Sequence, residues 1–106
     1  MPRDSGAQFE AIASALTAST LAVKGKMFGM PTLSIGRKAF AGLFRDAMVF
    51  KLGGQERERA LALSGARLFD PSGRGRPMRE WVEVPPKHAA RWAALVQQAL
   101  RYVSKG

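Results

Sequence analysis

The sequence predicts a two-layer α+β domain in which an antiparallel five-stranded sheet carries helices on one face, in the order α-β-β-β-α-β-β-α. Three observations lead there. Strand-like segments follow one another between residues 26 and 52 with only short turns between them. Apolar stripes at helical period flank the strands near both ends of the chain. The repeated strand–helix alternation of a parallel, doubly wound fold is absent.

The first element covers residues 5–20, where Phe9, Ile12 and Leu16 recur at helical spacing and Asp4 or Ser5 can cap the free amides. A strand from Lys26 to Ile35 follows, with Pro31 inside it. Proline has no amide for a central ladder, so this strand is expected at an edge or with a kink. Turns at Gly36-Arg37 and Arg45-Asp46 bound the second strand, Lys38 to Phe44, which places Phe40, Gly42 and Phe44 on one face. In the third, Met48, Phe50 and Leu52 alternate with Val49 and Lys51, the period of a sheet packed on one side.

Gly53-Gly54 ends that run, and Gln55 to Ser64 reads as a short helix with Gly65 at the left-handed C-terminal position. Arg67-Leu68-Phe69 and Glu80 to Val84 are two further strands, joined by a stretch of turn formers over residues 70–77 with a cationic tip. Pro85-Pro86 closes the last strand. From Lys87 onward Trp92, Leu95, Val96, Ala99, Leu100 and Val103 form one apolar helical stripe.

At 106 residues, 46% of them hydrophobic, the chain is sized for a single domain over 1–106 with its own core. It has no cysteine, which removes disulfides, thiolate nucleophiles and cysteine-based metal sites and agrees with a reducing, cytoplasmic setting. No apolar run is long enough for a membrane span or a signal peptide. Seventeen Lys and Arg against eight Asp and Glu give a net charge of +9, which favours an anionic partner, nucleic acid or an acidic protein, and also aids solubility. Uncovered strand edges make a homodimer a further expectation.

Enzyme chemistry finds little footing. His88 is the only histidine and follows two prolines at a helix start, where a surface position is expected. No serine lies in a nucleophile-elbow pattern. Glu56 and Glu58 are two apart on a helix, and Glu80 and Glu83 point oppositely on a strand, so neither pair reads as an acid/base couple. Gly73-Arg74-Gly75 lacks the third glycine and the preceding parallel strand of a dinucleotide fingerprint. The expectation is a non-enzymatic binding module with neither cofactor nor metal.

Its candidate contacts are cations. Arg74, Arg76 and Arg79 lie in or beside the 70–77 loop with Arg67 at its base, a wing able to follow a phosphate backbone. On the last helix a 100° rotation per residue puts Lys87, Arg91, Gln98, Arg101 and Lys105 on one side, with no acid between residues 87 and 105. Trp81 could offer a stacking platform, although burial under a helix is its expected place. The rival reading is a protein-interaction or chaperone-like adaptor acting through the sheet face or edge, marked by exposure of Met27, Met30, Leu33 or Met48.

Lys26-Met27-Phe28-Gly29-Met30, Lys38-Ala39-Phe40-Ala41-Gly42-Leu43 and Met48-Val49-Phe50-Lys51-Leu52 resemble the opening strands of the TfoX N-terminal domain family. The short helix ending at Gly65, the strands Ala66 to Phe69 and Arg79 to Val84, and the last helix with Trp92 are similar to that family and to the related YjbR/MmcQ-like proteins. The resemblance covers the chain from Phe9 onward and departs at Met30-Pro31, where that family is glycine-rich. It implies a two-layer α+β fold shared with type III secretion chaperones, an association with competence regulation, and DNA binding through paired wings. It brings no catalytic residues.

Overall fold

The computed structural model describes residues 4–27, 29–71, 75 and 78–105. Helix α1 (Ser5–Ser19) opens at Asp4, whose carboxylate accepts the Ala7 amide at 3.0 Å. Its buried side, Phe9, Ala13 and Leu16, keeps the spacing seen in the sequence. Four strands follow: β1 (Val23–Met27), β2 (Met30–Ile35), β3 (Lys38–Phe44) and β4 (Ala47–Lys51). After α2 (Gly54–Leu61) come β5 (Arg67–Phe69) and β6 (Met78–Val84). A 3-10 segment, Pro86–Arg91, leads into α3 (Trp92–Lys105).

The sheet has six strands, ordered β1-β2-β3-β4-β6-β5, and every neighbouring pair is antiparallel. The expected count of five is corrected at the first segment, which is a hairpin rather than one strand. Met27 pairs with Met30, and Gly29 supplies a φ of +76° for the tight turn. Pro31 therefore lies in an interior strand instead of at an edge. The pairing of β2 with β3 starts only at Thr32↔Gly42, so the ladder to β3 begins beyond the missing amide. The turns at Gly36-Arg37 and Arg45-Asp46 fall where the sequence puts them, each with a positive φ at its first central residue, +60° at Gly36 and +58° at Arg45.

All three helices contribute to one core with the sheet face that carries Leu33, Ala41, Met48, Phe50, Val82 and Val84. α3 crosses β3 and β4, and α2 lies by β6. A bulge between Leu33 and Ser34 leaves Phe40 without a partner in β2 and turns it into the same core.

The opposite face holds a second cluster, Met30, Val49, Phe69 and Trp81, with Met27, Ala39, Phe44 and Met78 packed against it. The Phe44 and Phe69 rings meet edge to face at 5.0 Å. Trp81 is thus buried, but on the side of the sheet away from the helices, because its strand neighbours Val82 and Val84 take the helix side. With Met30, Leu33 and Met48 buried and Met27 half-buried, the apolar patch that would have marked a sheet-face docking site is closed.

No helix of the described residues is long and apolar enough to cross a membrane. The edge strand β1 is mostly exposed and carries Lys24 and Lys26, a charge arrangement that discourages edge-to-edge pairing.

Candidate basic cleft

α2 and α3 run in opposite directions. The start of α2 lies by Tyr102, where Gly53 lets the ring come close, and its end lies by the 3-10 segment, where Lys87 donates to Ser64 Oγ at 2.8 Å. His88 Nε2 lies 2.8 Å from the Ser64 carbonyl oxygen, so the ring is half-buried against the end of α2 rather than free at the surface. A carbonyl can only accept, so Nε2 carries the proton.

The cations expected from the sequence divide into groups. Arg74 and Arg76 lie outside the described residues. Arg67 stands on β5 and pairs with Glu83 at 3.4 Å, its side chain 71% exposed. Arg79 is exposed on β6, and its carbonyl accepts from Arg57 Nε at 2.6 Å. Lys87 is tied to Ser64, and Arg91 borders the groove between α2 and α3 beside Glu56 and Arg59. Arg101 and Lys105 are exposed near the C-terminal end of α3. At about 1.5 Å per residue, Arg91 and Lys105 stand roughly 20 Å apart along the helix. One face of α3 therefore carries cations at both ends, while Arg67 stands on the edge strand β5.

The structure adds a feature at the C-terminal end of α3. Lys38 from the start of β3, Lys51 from the end of β4, Glu80 from β6, and Tyr102, Val103 and Lys105 from α3 line one cleft of about 400 Å³. The sheet register brings the strand residues together. β3 and β4 are antiparallel about the Arg45-Asp46 turn, Lys51 pairs with Trp81, and the Leu52 amide donates to the Glu80 carbonyl at 2.8 Å.

Tyr102 donates its phenolic hydrogen to Glu80. This bond, followed by partial burial and by the repulsion that a second negative charge would meet at Glu80, raises the Tyr102 pKa above the ordinary 10.0. Lys38 Nζ reaches the Val103 carbonyl at 3.4 Å, a favourable place for a cation at a helix C-terminus. Among the described residues the side chains of Lys51, Arg101 and Lys105 make no hydrogen bond or ion pair.

Lys38, Lys51, Glu80 and Tyr102 were not among the sequence candidates. The lysine pair had a legible signal, since residues 38 and 51 stand at corresponding ends of a hairpin turning at 45–46. Tyr102 had none, because its position depends on how α3 crosses the sheet. Among the described residues no group of three or more His, Asp or Glu is placed to hold a metal ion. No family model, curated protein or solved structure matches this chain.

Proposed function

We propose that this protein is a non-enzymatic binding module of TfoX-N-like type that contacts nucleic acid through the solvent face of α3 and the basic cleft at its end. The observation that carries the reading is the clustering of cations there. Lys51, Arg101 and Lys105 gather at one end of α3, facing solvent or the cleft without a carboxylate partner; cations elsewhere among the described residues, such as Lys26 and Arg37, are also unpaired, so it is the clustering that counts. Unpaired cations on a helix face and its adjoining cleft release counterions when they meet phosphates, which gives salt-dependent affinity without sequence readout. Arg74 and Arg76, which lie between β5 and β6 in the sequence, belong to the same reading as a second contact arm.

The test is fluorescence anisotropy of a labelled short duplex titrated at several salt concentrations. The Arg101→Glu/Lys105→Glu variant is expected to bind at least about tenfold more weakly and to lower the magnitude of the salt slope by about 2, one phosphate contact for each cation. Unchanged affinity in that variant, or no binding at low salt by the unaltered protein, overturns the reading.

Protein interaction through the sheet edge is the second reading, favoured by one observation. Leu21 and Val23, 85% and 55% exposed, are the large hydrophobic side chains left in solvent among the described residues, Val23 at the start of edge strand β1 and Leu21 just before it.

A further inference from the structure

We propose that the cleft between α3 and the ends of β3 and β4 is a site for a phosphomonoester dianion, the group found at a phosphorylated nucleic-acid end and on a free mononucleotide. The inference rests on the anion-binding reading above and narrows it to one kind of anion.

Three features of the cleft choose the ligand. The first is charge. Lys38, Lys51 and Lys105 against Glu80 leave an excess of two positive charges around one concavity. A phosphomonoester carries about −1.5 to −2 at neutral pH, while each phosphodiester of a backbone carries a single charge. The second is shape. The lysines come from three separate elements and surround a hollow of about 400 Å³. Such a concavity admits a chain end or a small molecule. The interior of a duplex presents its phosphates along a convex ridge, which meets the exposed face of α3 more readily.

The third is the arrangement of Glu80. Tyr102 donates to it, so one carboxylate oxygen is occupied and the carboxylate is held at the wall. The ring in turn is held by Gly53, where an added Cβ would fall 2.4 Å from Tyr102 Cε1. The acid therefore sets the net charge of the cleft from a fixed position, and the lysine chains remain able to move onto a ligand.

The experiment titrates the full chain with adenosine 5′-monophosphate and with its singly charged methyl ester, followed by amide chemical shifts and by the absorbance of Tyr102, the sole tyrosine. In parallel, an oligonucleotide with a 5′-phosphate is compared with the same strand ending in a 5′-hydroxyl. The monoester is expected to saturate with shifts centred on Lys38, Lys51 and Tyr102, at least roughly tenfold more tightly than the methyl ester. Lys51→Gln and Lys105→Gln should each weaken it by about tenfold, and Glu80→Gln should strengthen it, a gain that damage to the fold does not produce.

Equal binding of monoester and methyl ester overturns the proposal, as does monoester binding indifferent to all three variants. Oligonucleotides that bind with no preference for the phosphorylated end leave the nucleic-acid reading standing and remove this one if the mononucleotide also fails to bind. Mononucleotide binding without oligonucleotide binding does the reverse and identifies a free small molecule as the source.

Discussion

Replacing Gly53 with alanine puts a methyl group where the Tyr102 ring now lies. The added Cβ would stand 2.4 Å from Cε1, 2.7 Å from Cζ and 3.0 Å from the phenolic oxygen. The backbone itself raises no objection, since Gly53 has an extended φ of −141° that any residue adopts. The ring must therefore move, and its bond to Glu80 with it. Overpacking of this kind costs roughly 1–3 kcal/mol. Two other effects accompany the substitution: glycine is the better residue at the N-cap of α2, and alanine narrows the unfolded ensemble.

A double-mutant cycle with Tyr102→Ala separates these contributions, because the cap and chain-entropy effects are present in both backgrounds and the ring contact in only one. Urea unfolding of the four proteins should give a coupling energy of about 1–2 kcal/mol. Gly53→Ala alone should also lower Tm, at roughly 4–8 °C per kcal/mol for a domain of this size. Additivity within about 0.5 kcal/mol would refute the reasoning and mean that the Tyr102 ring swings aside at no cost.

Tyrosinate absorbance reports Tyr102 alone, the chain's one tyrosine, and should show a titration midpoint above the free value that falls toward it in Glu80→Gln. Because the raised pKa belongs to the folded state, the stabilisation is complete below pH 10.0 and declines as pH rises through the folded value; Tyr102→Phe should lose that part of the alkaline slope. Trp81→Ala should cost about 3–5 kcal/mol in chemical denaturation, as a buried aromatic does in a helix-side core; a loss under about 1 kcal/mol would show that the outer cluster is not a core.

Elements defined by local chemistry could be read from the sequence, and those defined by long-range packing could not. Asp4 caps α1 and the Trp92–Val103 stripe is buried in α3, both at the expected places, because capping and period are properties of a few adjacent residues. The hairpin inside 26–35 is hidden because Pro31 is the conspicuous breaker while Gly29, two residues earlier, makes the turn. The side of the sheet on which Trp81 is buried is hidden for a similar reason. A strand pattern distinguishes two faces but not which one the helices cover. At the cleft the sequence offered Lys105 alone, since convergence of Lys38, Lys51, Glu80 and Tyr102 is a product of sheet register and helix crossing.

Over Ala47, Met48, Val49 and Phe50 β4 is apolar and buried on both sides, so exposure to solvent alone does not fix its alignment there. A slip by one residue would exchange Met48 and Phe50 on the helix side for the much smaller Ala47 and Val49 and carry Lys51 onto that face, so packing opposes it. Geometry near the strand ends adds to that packing mismatch in choosing the pairing. The Arg45-Asp46 turn sets the register of β4 on β3, while the Gly36-Arg37 turn and the bulge at Phe40 set that of β2 on β3. Part of the sheet's register is thereby held in exposed turn residues, of which Arg45, holding a left-handed conformation without being glycine, is the most exacting.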